Sequence, residues 1–161
     1  IDNLKYTESL SRTFEDRYIT PAAILSARSI YYTHAAYYNW MLREGSNHGM
    51  YKKQLLDDIK RVYGVQRRVV EDICPALMPK WEEAFIDYIR LYVSRNIIRV
   101  ADFARKLESS RQLLADPIVR DRIKRFGRHW SDKTGLAVKY ALTLKMPVLL
   151  AFSSYFGSRN C

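Results

Sequence analysis

Two cysteines in 161 residues, Cys74 inside an apolar stretch and Cys161 at the last position, are too few and too far apart for a disulfide framework or a zinc-ligand set. That scarcity fits a reducing compartment. Glycine and proline are also sparse, six and five, which excludes the turn-dense spacing of a β-sandwich or barrel and leaves long stretches for helices. No uninterrupted apolar run is long enough to span a bilayer: the most apolar segment, residues 135–156, is broken by Lys139, Lys145 and Pro147. The first residues, Ile1-Asp2-Asn3-Leu4-Lys5, offer neither a basic leader nor an apolar core, so no signal peptide is read there. With no initial methionine and an abrupt end at Cys161, the chain is expected to be a fragment or a processed product.

Acids are the minority charge, 17 against 27 lysines and arginines, and the formal net charge of +10 attracts anionic partners at long range: nucleic acid, acidic lipid headgroups or a phosphorylated small molecule. An apolar fraction of 48% is nevertheless ordinary for a folded domain. The expected fold class is therefore mainly α, a helical bundle-like C-terminal region preceded by a small helix and strand segment.

Apolar residues at three- and four-residue steps predict an amphipathic helix over 52–73, ended by Cys74-Pro75, since a residue before proline resists the helical basin. A second apolar stripe, from Trp81 and Phe85 to Phe103 and Leu107, predicts one long helix over about 80–107. Ser109 with Gln112 has capping-box spacing, and Asp116-Pro117 pairs an N-cap residue with an N1 proline, so a helix should start at Pro117 and stop near Gly127. It carries the densest basic run, Arg120, Arg122, Lys124, Arg125 and Arg128, the expected contact surface for an anionic partner. The last apolar segment reads as a packed terminal helix or as one lying on an anionic membrane surface.

The first fifty residues differ. Pro21 to Leu25 looks like the start of a short helix with proline in its first turn, and residues 29–42 have the Tyr, Trp, Ile and Thr content of a strand. Tyr31, Tyr32, Tyr37, Tyr38 and Trp40 serve either strand packing or base and sugar stacking. Glu15-Asp16 precedes a helix start, where unpaired backbone N–H groups stabilise carboxylates.

The order of these elements carries a resemblance. Phe14-Glu15-Asp16-Arg17-Tyr18-Ile19, a helix ending at Ala27, Ile30-Tyr31-Tyr32 and then Tyr38-Asn39-Trp40-Met41-Leu42-Arg43-Glu44-Gly45-Ser46 resemble the end of the catalytic domain of family-2 inverting glycosyltransferases of the GT-A fold. The resemblance covers the first third of the chain and implies a boundary between residues 1–49, the end of a GT-A-like catalytic domain, and 50–161, a basic helical extension. It implies that Asp16 is the general base that deprotonates an acceptor hydroxyl, with Glu15 ordering the acceptor. It places Arg43, Ser46 and His48 near the leaving diphosphate. The nucleotide-binding half and its Asp-x-Asp metal motif are absent from these residues, so nucleotide-sugar donor, glycan or lipid-linked acceptor and a divalent Mg or Mn ion are all implied for a longer enzyme. This chain itself is expected to hold no metal or cofactor. The expected location is cytoplasmic, either free or peripheral at the inner face of the membrane. Two other classes remain open: a non-catalytic module binding nucleic acid through the basic run, and a helical homo-oligomerisation domain.

Overall fold

The computed structural model describes residues 15–34, 51–130 and 132–157. Among them the chain is helical with no strand, in agreement with a mainly α reading. Helix α1 spans Glu15–Ser26, α2 Leu55–Ile73, α3 Met78–Val93, α4 Phe103–Ala115, α5 Pro117–Phe126, α6 Lys133–Thr143 and α7 Pro147–Gly157. Residues 27–34 form neither helix nor strand, and Tyr31 and Tyr32 lie in solvent, 91% and 78% exposed. The rest of the expected strand, with Tyr37, Tyr38 and Trp40, lies outside the described residues.

The chain divides into two compact units, Ile1–His48 with Asp57–Trp81, and Gly49–Leu56 with Glu82–Cys161. Residues 57–81 group with the N-terminal segment, and Gly49–Leu56 with the C-terminal one. In this first unit Ile59, Val62, Val65, Val69 and Val70 form the buried face of α2, at helical steps, and Ala22 is buried on α1. Gly64 sits inside α2 without ending it. The ring of Tyr63 stacks on that of Trp81, with centroids 6.3 Å apart and planes 12° from parallel.

In the second unit the long helix expected over 80–107 is instead two helices. After Val93 the chain makes a single π-helical turn, Ser94–Ile98, then leaves the helix until Asp102 caps α4 by accepting from the N–H groups of Ala104 (2.8 Å) and Arg105 (3.3 Å). Ile97 and Val100 stay buried across the break, so the apolar periodicity runs on where the helix does not. Ser109 and Gln112 lie within α4 and cap nothing; the Ser109 carbonyl and Gln112 Oε1 accept from the Tyr92 hydroxyl at 3.1 and 3.4 Å. Burial pushes that phenol up to about 12. Asp116 caps α5 as its sequence predicts, accepting from Ile118 and Val119 at 2.9 and 3.1 Å, and α5 gives way at Gly127.

Helix α4 packs against α5 and α7, α6 against α7, and the π turn against both α4 and α7. Phe85, Tyr92, Ile97, Leu113, Trp130 and Leu150 of this unit are fully buried, each burial of this kind contributing about 1.5–3 kcal/mol. Gly135 allows the closest contact: a Cβ there would stand 2.4 Å from Cγ of Trp130. The terminal apolar segment is two helices, broken where Lys145 takes φ 53°. Bonds from Met146 N–H to the Ala141 carbonyl (3.0 Å) and from Lys145 N–H to the Leu142 carbonyl (3.3 Å) make this a Schellman turn with lysine in the position usually held by glycine, and Pro147 starts α7.

Candidate functional site

Glu15 and Asp16 are the first described residues of α1, which is helical from there to Ser26. The helix starts earlier than Pro21 suggests, and Pro21 lies in its interior. Proline there has no N–H to give to the carbonyl four residues back, that of Arg17. The vacancy is filled from α2: Gln66 Nε2 donates to the Arg17 carbonyl across 49 positions of sequence. Gln66 is buried on the apolar face of α2, and no local sequence signal marks it. This bond ties the turn that carries Asp16 to the core of the first unit.

One turn beyond Asp16, Pro21 borders a cavity of about 320 Å³, lined by Thr20, Pro21, Ile24 and Leu25 of α1 with Val70, Leu77, Lys80 and Trp81. Its lining is apolar except for Thr20, Lys80 and the Trp81 indole. The indole N–H of Trp81 is buried and finds no acceptor among the described residues. Arg43, Ser46 and His48 fall in residues 35–50, outside the described residues, so the structure neither brings them to Asp16 nor separates them from it. Among the described residues no three His, Cys, Asp or Glu side chains converge on a metal position.

The basic run on α5 is not one continuous surface. Arg122 turns inward, 8% exposed, and its Nη1 meets Glu82 Oε2 at 2.9 Å. Arg125 pairs with Asp121 at 2.9 Å on the outside of the helix, while Arg120, Lys124 and Arg128 are exposed. Arg122 follows Val119 by three positions and precedes Ile123, both buried, so its place on the inward face was readable from spacing.

A second cavity, of about 380 Å³, lies within the second unit and draws on four helices: Arg111, Leu114 and Ala115 of α4, Arg120 of α5, Ala141 and Leu142 of α6, and Lys145 and Pro147 at the α6–α7 turn. Three cations and no acid line it. None of the three is ion-paired among the described residues. Most of the charge imbalance is concentrated the same way: the second unit holds 17 lysines and arginines against 8 acids, and the first 10 against 9. Within the second unit Lys106 is also buried, and loss of hydration lowers its pKa.

No family model, curated protein or solved structure matches this chain. No helix among the described residues is long and apolar enough to cross a membrane.

Proposed function

We propose that this chain is the acceptor-side end of an inverting glycosyltransferase, with Asp16 as general base and a basic helical unit following it. The observation that carries the reading is that Glu15-Asp16 lies on α1, a helix that ends at Ser26 and runs into the segment holding Ile30-Tyr31-Tyr32. That is the order in which the resemblance places an acidic pair, a helix and an aromatic segment.

The chemistry follows from the carboxylate. As the acceptor oxygen bonds to the anomeric carbon, its proton becomes acidic, and a carboxylate within hydrogen-bond reach takes it without needing a high resting pKa. The anomeric carbon–diphosphate bond breaks in the same displacement, with inversion. In this reading Glu15 orders the acceptor, and Arg43, Ser46 and His48 offset charge on the departing diphosphate. The nucleotide-sugar and any divalent ion are held by a nucleotide-binding half outside these residues.

The test is glycosyl transfer by the polypeptide joining this chain to such a half. Asp16→Asn is expected to lower turnover by about a hundredfold to ten-thousandfold while leaving the fold intact. Near-normal turnover would remove Asp16 from the base role.

A further inference from the structure

Apart from Ile118, the large exposed apolar residues of the second unit among those described gather at its C-terminal end. Helix α6 exposes Leu136 and Tyr140 one turn apart, with Leu144 a further turn on at its cap, and α7 exposes Leu149 and Phe152 three positions apart, with Met146 in the turn between. Tyr140, Leu144 and Phe152 are at least half exposed, at 63%, 56% and 50%. A folded chain ordinarily buries such residues or keeps them scattered, and rows of them on two packed helices mark a contact surface. From Lys133 to the end of the chain there is no acid, while Lys133, Lys139 and Lys145 punctuate the apolar rows. Beside them opens the cavity lined by Arg111, Arg120 and Lys145, where three like charges around one opening repel one another until an anion enters.

We propose that the α6–α7 end of the second unit docks on an anionic lipid surface, its apolar rows entering the headgroup boundary and its three-cation cavity receiving a headgroup phosphate. Each half of the arrangement excludes a different rival. Nucleic acid would match the cations and leave Leu144, Met146 and Phe152 against sugar and phosphate. A second copy would match the apolar rows and bring together two units of the same strong positive charge. An anionic bilayer satisfies both, since its boundary offers phosphate and hydrocarbon within a few ångströms. The helices suit a surface position: at 11 residues each, they measure about 16 Å, half the thickness of a hydrocarbon core. Lys145 accepts a left-handed backbone that glycine would adopt without strain, which keeps a cation at the junction of cavity and apolar rows.

The inference does not depend on glycosyl transfer and is tested on the whole chain by co-sedimentation with vesicles. Mixed phosphatidylglycerol and phosphatidylcholine vesicles should retain the protein, and phosphatidylcholine alone should not. Arg111→Gln/Arg120→Gln/Lys145→Gln should weaken partitioning by about a hundredfold, at about fivefold per cation near the surface. Arg61→Gln/Arg67→Gln/Arg68→Gln, an equal charge loss on exposed positions of the first unit, should change it far less. Tyr140→Ser/Leu144→Ser/Phe152→Ser should abolish the salt-resistant part of binding, with helical circular dichroism showing each variant folded. Equal loss in both charge variants, unaltered binding by the serine variant, or equal retention by phosphatidylcholine would overturn the proposal. So would displacement by glycerol phosphate at matched ionic strength, which would assign the cavity to a soluble phosphate, or duplex DNA retention that the serine variant leaves intact.

Discussion

The bond from Gln66 to the Arg17 carbonyl exists because Pro21 cannot make it, and that dependence is measurable. Gln66→Leu keeps the size of a buried side chain and removes the donor, leaving the Arg17 carbonyl without the help that a proline-containing turn requires. A net hydrogen bond is worth about 0.5–1.5 kcal/mol, and an abandoned polar group costs about 1–3 kcal/mol. Arg17 is exposed, so water recovers part of the loss and about 1 kcal/mol is expected. Pro21→Ala restores an N–H at the position that serves the Arg17 carbonyl through the helix itself. In that background Gln66→Leu should therefore cost much less, giving a coupling of about 1 kcal/mol between two residues 45 apart in sequence. The assay is a double-mutant cycle read by amide exchange in α1, which reports the opening of this short helix directly. If the two substitutions add to within about 0.3 kcal/mol, the account of why α1 tolerates an internal proline is wrong.

Two further outcomes follow from the second unit. Asn96 is fully buried in the π turn, donates from Nδ2 to the Lys52 carbonyl at 2.8 Å and accepts from the Lys52 N–H at 3.3 Å. Asn96→Asp sets an ionised oxygen against that carbonyl, so the folded-state pKa of the new carboxyl rises above about 3.9. Stability should match the parent most closely below that value and fall as pH rises through the folded pKa; urea midpoints that do not vary with pH would refute it. Lys145→Gly relieves the φ of 53° and should raise stability by up to about 1 kcal/mol, or about 2–4 °C in Tm by scanning calorimetry; a lower Tm would show that the lysine side chain contributes more than its backbone costs.

Local chemistry was the legible part of this chain. Asp116-Pro117 announced α5, Cys74-Pro75 closed α2, and apolar spacing found the buried face of α2, because caps and stripes act within a few residues. The break before α4 was hidden by the same stripe, since Ile97 and Val100 remain buried through a π turn and an extended link; the capping Asp102 beside Phe103 was the available clue. Ser109 and Gln112 have the spacing of a cap and the job of holding Tyr92, a distinction that depends on a helix 17 residues away. Pro21 was misplaced because its missing donor is replaced by Gln66, which belongs to another helix. The cavity with Arg111, Arg120 and Lys145 was unreadable for a similar reason: four helices contribute to it, and no sequence window contains them all.

The pairing of Asn96 with the backbone of Lys52 also bears on how this polypeptide can be cut. Gly49–Leu56 belongs to the second unit although residues of the first unit flank it on both sides in sequence. No single cleavage therefore yields both units whole. A chain begun at Glu82 lacks the strip that satisfies Asn96, and one ended at Trp81 carries that strip with nothing to hold it. During synthesis, Lys52 leaves the ribosome 44 residues before its partner Asn96 does, so the second unit cannot complete itself until residues 57–81 of the first have emerged.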